Sequence, residues 1–299
     1  MRRLRRNEDA VVLVLTVLVL SILVILGFAF SYGAGVNASA AANARETFAN
    51  EAAADSALAW ATALLDADLA DGTSDAMSER WARDDLTVVV GGRKMAVRIS
   101  DENRKLNVNR AAGPPTTPKD PDLRPALKRL ISNLGGSPLD YERLCRWVVP
   151  GASEGRRPLL VIEGLAAVPD LDKGLLAGGR DKPPLSAVLT TVSDRVNVNT
   201  AGKDVLDALW DNPTLTQNVM NARRQAPFRD DAQVEAYLAK SMGAGDAVPA
   251  AAAVGVASEW FRIEARPAGG RGGAMAIVRR TSAGAQTQSA RRLSEEDGQ

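Results

Sequence analysis

The amino-acid sequence predicts an α+β protein: a long N-terminal helix packed on an antiparallel sheet, with a large α-helical domain inserted into the sheet. Three observations carry this prediction. A helical pattern runs through the first 72 residues, strand patterns occur at 86–99 and again at 259–281, and residues 111–250 between them are helical. Because consecutive strands are usually neighbours in space, both strand regions are expected to share one sheet.

The N-terminal segment begins with a basic leader at 1–9, followed by an uncharged apolar stretch at 10–30. A helix of that length spans a bilayer. Four arginines precede it, so the positive-inside rule predicts a cytoplasmic N-terminus and places the bulk of the chain across the membrane. The alternative is a cleaved signal peptide, because "SYGAG" supplies small residues, but a signal peptide has a shorter apolar stretch.

Residues 31–72 extend this helix beyond the membrane. The segment is rich in alanine and free of proline, and its larger apolar residues are widely spaced. Such a pattern predicts an amphipathic helix that can pack closely against neighbours. It fits either a membrane anchor with a stalk or the spine of a filament subunit.

A β-hairpin is predicted within residues 73–110. Its strands are Leu86–Val90 and Arg93–Ile99, and the Gly-Gly pair between them suits a two-residue primed turn. Apolar and polar side chains alternate along the second strand, which predicts one buried and one solvated face. The same alternation returns within residues 251–281, and the polar residues 282–299 are predicted to be disordered.

The inserted helical domain is predicted to cover residues 111–250, with a second helical unit from about residue 195. A proline-rich loop opens the domain. Ser137 is the expected N-cap of one of its helices, with Asp140 three positions on, close to a capping box.

Composition excludes several chemistries. The chain has no histidine, so the usual general base, zinc ligand and Ser-His or Cys-His pairs are absent. The lone Cys145 forms no internal disulfide and is predicted to be a small buried residue. With 37 basic and 36 acidic residues there is no basic field for nucleic acid. We therefore expect a protein that is not an enzyme.

The tripeptide Asn-Val-Asn occurs twice, at 107–109 and 197–199. We predict that the valine enters a core while Asn107, Asn109, Asn197 and Asn199, with Thr200, form turns and helix caps. A helix start is expected at Asn199 or Thr200. The competing interpretation is a helix-hairpin-helix DNA-binding unit, but "LWDNPTL" lacks the glycine turn whose amides meet a phosphate.

Taken together, these segments resemble the type II secretion system protein K family, the largest minor pseudopilins. The matching stretches are "VRISDENRKLNVN", "RPLLVIEGLAAVPDLDKGLL", "PPLSAVLTTVSDRVNVNTAGKDVLDAL", "ARRQAPF" and "ASEWFRI". The resemblance covers most of residues 1–281. It implies a pilin-like core whose large helical insertion contains SAM-like or helix-hairpin-helix-like units.

The resemblance also implies a function. Such a protein caps and helps to nucleate a periplasmic pseudopilus that drives folded proteins through the outer membrane. Its implied partners are the other minor pseudopilins, the major pseudopilin, inner-membrane lipid and a prepilin peptidase; no nucleic acid is expected. An assembly face containing Val14, Ala52 and Ala59 would pack against partner helices. The runner-up function is a membrane-anchored DNA-uptake protein with a degenerate helix-hairpin-helix unit.

The sequence departs from the family in three places. The peptidase usually cuts after a glycine, whereas the corresponding junction here is Asp9-Ala10. If it is cut there, Val14 stands at the fifth mature position, where this family has an apolar residue and most pilins have glutamate. The acidic stretch beside the family's calcium loop is replaced by "CRWVVPGASEGRRP", so no cofactor is expected. The polar residues after 281 match nothing in the family.

Overall fold

A computed structural model describes residues 2–118, 120–149, 158–269 and 272–293, with the backbone alone described at 2–10 and 71. The chain divides into two compact units, residues 1–52 and 53–299. Helix α1, Arg2–Asp71, is 70 residues long. By length and composition, α1 is the one helix among the described residues that could cross a membrane, and its apolar side chains from Val11 to Phe30 are exposed.

The other helices all follow the first strands in the chain. They are α2 Val108–Ala111, α3 Arg124–Asn133, α4 Pro138–Val148, α5 Lys173–Ala177, α6 Leu185–Val188, α7 Lys203–Trp210, α8 Pro213–Gln225, α9 Asp231–Met242 and α10 Ala244–Ala252. Two short 3-10 helices cover Arg80–Ala82 and Ile162–Ala167.

The strands form one large sheet and two small ones. They are β1 Thr87–Val90, β2 Arg93–Asp101, β3 Leu106–Asn107, β4 Leu189–Thr190, β5 Val196–Asn197, β6 Val254–Gly255, β7 Trp260–Pro267, β8 Ala274–Thr281 and β9 Gly284–Arg292. The large sheet has the order β1-β2-β7-β8-β9 and is antiparallel throughout. Since β2 and β7 are neighbours in it, every described α-helix after α1 belongs to an insertion between adjacent strands.

The first hairpin turns as its glycines predict. Gly91 and Gly92 have φ values of 56° and 79°, which are the positive values of a primed turn. Met95, Val97 and Ile99 of β2 are buried, and the residues between them are exposed.

One face of the large sheet packs on the last five turns of α1. The helix contributes a buried stripe made chiefly of alanine: Ala53, Ala54, Ala57, Leu58, Ala61 and Leu65. Because alanine side chains are small, the helix can lie close to the larger residues of the strands, among them Ile263 and Phe261. Trp81 closes this core with its ring 5.2 Å from that of Phe261, in an edge-to-face arrangement. The α+β fold class is therefore the predicted one.

The inserted helices have a hydrophobic core of their own. Helix α4 begins with a full capping box: Asp140 N donates to Ser137 Oγ, and Ser137 N donates to Asp140 Oδ2 at 2.8 Å. Two parallel pairs of very short strands, β3 with β4 and β5 with β6, tie the insertion together. The sequence analysis did not foresee these pairs, because two residues are too few to show an alternating pattern.

The prediction of disorder after residue 281 is wrong for residues 284–292. They form β9, which pairs with β8 along its whole length. Arg292 makes a two-pronged ion pair with Asp55 of α1, at 2.7 and 2.8 Å. Leu293 is buried and its N–H donates to Gly273 O. Residues 294–299 of the predicted tail lie outside the described residues.

The predicted helix start at Asn199 or Thr200 is also wrong. Helix α7 begins at Lys203, with Gly202 as its N-cap residue. Asn199 and Thr200 lie in a turn before it, because their side chains are engaged with distant parts of the chain, described below.

Candidate functional site

The predicted assembly face lies on α1. Ala52 and Ala59 are both exposed, and they alternate with the alanines that are buried against the sheet. Val14 is 67% exposed. Asp9 and Ala10 lie within the helical backbone of α1, and their side chains are outside the described part of the chain. Alanine therefore occupies two different faces of α1, one buried in the core and one open to solvent.

The first Asn-Val-Asn ends β3 and starts α2. Asn107 Oδ1 accepts from the N–H of Asn109 at 2.9 Å, and its Nδ2 donates to Ser193 O at 2.6 Å. Val108 is fully buried. The side-chain amide of Asn109 pairs with both backbone groups of Leu159: Nδ2 donates to its C=O at 2.8 Å, and Oδ1 accepts from its N–H at 2.9 Å.

The second Asn-Val-Asn repeats this arrangement at the end of β5. Asn197 Oδ1 accepts from the N–H of Asn199 at 2.9 Å. Val198 is fully buried. Asn199 pairs with both backbone groups of Phe228, donating to its C=O and accepting from its N–H, each at 2.9 Å. In both tripeptides the first asparagine shapes the local turn, and the second holds a segment far along the chain.

Asn197 also connects the insertion to the large sheet and to the segment after α1 through what we call the polar junction, formed by Asp75, Asp101, Asn197, Thr200, Ser258 and Arg280. Asn197 Nδ2 donates to Ser258 Oγ at 2.7 Å and to Asp75 O at 3.1 Å. Ser258 and Thr200 both donate their hydroxyl hydrogens to Asp101 Oδ2. These residues are all buried.

Arg280 supplies the positive charge of the polar junction. Its guanidinium contacts Asp75, lies 3.0 Å from Asp68 Oδ2, and donates to Ser258 O at 3.2 Å. A buried ion pair of this kind is costly to break from one side, because the remaining charge is left without compensation. Arg280 thus joins the end of α1 to β8 and to the start of β7.

Burial raises the pKa of two carboxyl groups that lie close to these ion pairs. Desolvation raises the pKa of Asp101 to about 6, although hydroxyl donation from Thr200 and Ser258 opposes it. Desolvation also raises the pKa of Glu79 to about 7, against the hydrogen bond from Trp81 Nε1. Asp68, Asp75 and Glu79 come within 4.8 Å of one another. Arg280 pairs with two of these three carboxylates, Asp68 and Asp75, so their negative charge is largely compensated.

Glu102 forms a second buried charge network on the other side of β2. It accepts from Lys105 Nζ at 2.7 Å, from Arg262 Nε at 3.1 Å and from Thr190 Oγ1 at 2.7 Å. Burial alone would raise the pKa of Glu102, but the attraction of Lys105 and Arg262 lowers it below its usual value. Glu102 therefore links β4 of the insertion to the large sheet, because its carboxylate accepts from Thr190 of β4 and from Arg262 of β7.

The structure bears on the DNA-binding interpretation. Of the stretch that replaces the family's acidic one, Cys145–Val149 lie at the end of α4, and residues 150–157 lie outside the described residues, so the calcium expectation stays a prediction. Between α7 and α8 the chain turns at Asp211, which takes the left-handed conformation at φ 52° that a glycine would otherwise supply. Its exposed carboxylate would repel a phosphate. Arg223 donates to Val198 O and is partly buried, which lowers its pKa to about 10.

No protein-family model matches the chain, and no curated protein matches its sequence significantly. A solved structure does match: one chain of the GspK-GspI-GspJ complex from the enterotoxigenic Escherichia coli type 2 secretion system, with a TM-score of 0.66 and 18% sequence identity. The superposition covers 87% of this chain and all of that one. The two chains share one fold. The long helix, the antiparallel sheet and the added helices are therefore those of a GspK-like pseudopilin fold.

Sequence reasoning found the asparagines of the two tripeptides but missed the residues they hold. Leu159 and Phe228 take part through their backbone groups, which carry no sequence signal. Arg280 and Asp75 were also missed. Arg280 could have been found from the alternation along β8. It falls on the same face as the buried Ala276 and Val278, where a charged side chain needs a buried partner.

Proposed function

We propose that this protein is a non-enzymatic minor pseudopilin at the tip of a type II secretion pseudopilus, where it helps to initiate the filament and so supports protein export across the outer membrane. One observation carries the proposal: the fold covers the full length of a chain from a complex named for GspK, GspI and GspJ. Two features fit the same role. The exposed alanines of α1 suit helix packing, and the bulky insertion between β2 and β7 is hard to repeat along a thin filament.

The proposed location is the inner membrane, with a single span, a cytoplasmic N-terminus and the bulk of the chain in the periplasm. The arginines of the leader and the exposed apolar part of α1 support this orientation. The proposed partners are the other minor pseudopilins, the major pseudopilin, membrane lipid and a prepilin peptidase that would cut between Asp9 and Ala10. No cofactor and no nucleic acid are part of this function.

Tryptophan substitutions on α1 test the role of its exposed face. Ala52→Trp or Ala59→Trp should abolish co-purification of the full chain with the other minor pseudopilins of its own system, because an indole keeps partner helices apart. Ala67→Trp is the matched control, since Ala67 is exposed on the same helix but lies beyond the predicted face. Circular dichroism should show an unchanged fold in all three. Normal assembly and secretion by both interface variants would count against the tip model.

DNA binding is the second function that the sequence raised, and no feature of the described residues favours it. The left-handed turn of a helix-hairpin-helix unit is present, but it is built from an aspartate. Salt-sensitive binding of duplex DNA by the full chain, at near-micromolar concentration, would favour the uptake-protein alternative over the pseudopilin proposal.

A further inference from the structure

The polar junction contains a buried carboxyl group that has no cationic partner of its own. Asp101 is 1% exposed, and no lysine or arginine among the described residues forms an ion pair with it. Its hydrogen bonds come from neutral donors: the N–H of Asn103 reaches Oδ1 at 2.7 Å, and the hydroxyls of Ser258 and Thr200 reach Oδ2. Burying an ionised carboxylate without a cation costs free energy, and burying the protonated form costs less.

The charges on the inner side of Asp101 are mainly negative. The cation of the polar junction, Arg280, is engaged by Asp75 and Asp68. Asp75 acts on Asp101 as a like charge. Glu79 comes within 4.8 Å of Asp68 and Asp75, and so adds a further carboxyl group. Four carboxyl groups therefore surround one guanidinium, which favours the binding of a proton by one of them.

The charged side chains on the outer side of Asp101 do not pair with it. Arg98, Arg104 and Asp84 line a cleft of about 150 Å³ together with Asp101. Within the described residues, none of the three forms a hydrogen bond or an ion pair with the Asp101 carboxyl. Glu102 and its two cations lie on the other side of β2 and pair with each other.

The hydroxyl groups around Asp101 can serve both of its charge states. Thr200 Oγ1 lies within reach of two acceptors, Asp101 Oδ2 and, at 3.4 Å, Asn197 O. When Asp101 is ionised, the hydroxyls of Thr200 and Ser258 both donate to Oδ2. When Oδ2 carries a proton, it can donate that proton to Thr200 Oγ1, while the Thr200 hydroxyl hydrogen turns to Asn197 O. A hydroxyl is both donor and acceptor, so a proton can bind without movement of the heavy atoms.

The energetic consequence follows from the direction in which the pKa moves. Desolvation, with a smaller effect of Asp75, raises the pKa of Asp101 from 3.8 to about 6, against the donation from the two hydroxyls. Because the folded-state pKa is raised, this carboxyl favours the closed junction fully below pH 3.8, and the contribution is lost as pH rises to about 6. Ionisation of Asp101 therefore favours opening of its contacts with Thr200 and Ser258.

We propose that Asp101 is a proton-dependent switch in the polar junction: with a proton bound it holds the insertion firmly on the large sheet, and without one its contacts open more often. Asp101 belongs to β2, Thr200 to the turn before α7, and Ser258 to the segment that leads into β7. One carboxyl group thus controls contacts among three parts of the chain. The attachment of the insertion then responds to the pH of its surroundings, whether or not the protein acts in secretion.

Hydrogen exchange of the full chain in lipid nanodiscs measures the opening. The amides of Asn197 and Val198 report on it, because they donate to Asn103 O and Gly255 O beside the junction. The chain carries Glu79→Gln throughout, which removes the other carboxyl with a raised pKa. Protection of the two amides, corrected for the effect of pH on intrinsic exchange, should fall about tenfold from about pH 5 to about pH 8. Amides of α4, none of whose residues belongs to the junction, are the reference and should keep their protection.

Two pairs of variants assign the effect to Asp101 and its hydroxyl donor. Asp101→Asn has the shape of the protonated group and no charge, so it should keep high protection at both pH values. Asp84→Asn is its matched control, because it removes an exposed carboxyl from the same cleft and should leave the pH dependence unchanged. Thr200→Val removes a donor to the ionised form, so the midpoint of the transition should move to higher pH. Thr200→Ser keeps the hydroxyl and should leave the midpoint in place.

Three outcomes would overturn the proposal: protection of Asn197 and Val198 that does not change with pH, a change that Asp101→Asn leaves intact, or a midpoint that Thr200→Val leaves in place or moves to lower pH. Should Asp101→Asn fail to fold, the two Thr200 variants decide. Equal midpoints in Thr200→Val and Thr200→Ser would then exclude the hydroxyl from the switch and refute the proposal.

Discussion

At the scale of single residues, Asn109 and Asn199 each use one side-chain amide to pair with both backbone groups of a distant residue, as two neighbouring strands pair through their backbones. The carboxamide carries an acceptor and a donor side by side, so it can satisfy both the N–H and the C=O of a single residue. Leu159 and Phe228 receive this pairing from asparagines 50 and 29 residues away. Each copy of the tripeptide is therefore hydrogen-bonded to a distant backbone segment of the insertion, one at Leu159 and one at Phe228.

Replacing Asn199 with alanine should lower the free energy of unfolding by about 2 to 3 kcal/mol, because two buried backbone groups of Phe228 lose their partner. Denaturant titration of the detergent-solubilised chain, followed by tryptophan fluorescence, measures the loss. The control is Asn221→Ala on the exposed side of α8, which should change stability by less than about 0.5 kcal/mol. Equal losses of stability in the two variants would contradict the stabilising role of the hydrogen bonds between Asn199 and Phe228.

Glu79 makes a prediction about pH. Its folded-state pKa of about 7 lies above the ordinary value of 4.5, so the group favours the folded state fully below pH 4.5, and this contribution is lost as pH rises to 7. Glu79→Gln keeps an acceptor for Trp81 and does not titrate. It should be more stable than the native chain by about 1 kcal/mol at pH 8, allowing for the half-buried side chain, and equal to it near pH 4.

Thermal melting of the two chains across this pH range checks the prediction. A stability difference that stays constant from pH 4 to pH 8 would show that the carboxyl of Glu79 is not perturbed in the folded state.

At the scale of elements, β9 is the largest difference between expectation and structure. It closes the sheet beyond β8, and it is fixed to α1 by the Asp55–Arg292 ion pair and by donation from Ala285 N–H to Asp66. A segment that reads as a polar tail is therefore a structural strand. Its role depends on neighbours that its own composition does not reveal.

Deleting residues 282–299 should lower the melting temperature by about 5 to 10 °C, because the β8–β9 hydrogen bonds and the buried side chain of Leu293 are lost. It should also promote aggregation, because β8 becomes an unpaired edge strand. Deleting only residues 294–299 is the control, and it should change the melting temperature by less than about 2 °C. A disordered tail would predict that both deletions behave alike, which calorimetry can decide.

The elements with a strong period were predictable from sequence, and those held by context were not. The β2 strand shows clean alternation, and α4 carries its own capping box, so local chemistry specifies both. β9 has exposed side chains on both faces and so shows no alternation to detect. The start of α7 was misplaced because Asn199 and Thr200 bond to distant groups instead of capping the nearest helix. The polar junction depends on distant segments of the chain that only the fold brings together.

At the scale of the whole molecule, the insertion and the pilin-like core share buried polar contacts rather than a flexible linker. The polar junction joins the end of α1, strands β2 and β8, and the second Asn-Val-Asn. Glu102 adds a second attachment through Thr190. Because unpairing any of these buried groups is costly, the insertion should keep one orientation on the sheet.

The proposed topology is tested with an alkaline phosphatase fusion after Gln299. The enzyme should be active, because the positive-inside rule places the C-terminal part of the chain outside the cytoplasm. A fusion after Thr281 would confuse the test, since it removes β9 from the sheet. A fusion after Asn7, within the leader, is the inactive control. An inactive fusion at Gln299 would exclude the proposed orientation.

The position of the insertion also governs the order in which this protein can fold. Neighbouring strands β2 and β7 pair residues such as Asp101 and Phe261, which are 160 residues apart along the chain. During synthesis β2 is made long before β7, so the backbone edge of β2 that faces β7 has no partner strand until nearly the whole chain has emerged. Closing so long a loop is entropically expensive unless the insertion folds first and brings its two ends together. Until then the half-built sheet is a target for chaperones and for misassociation.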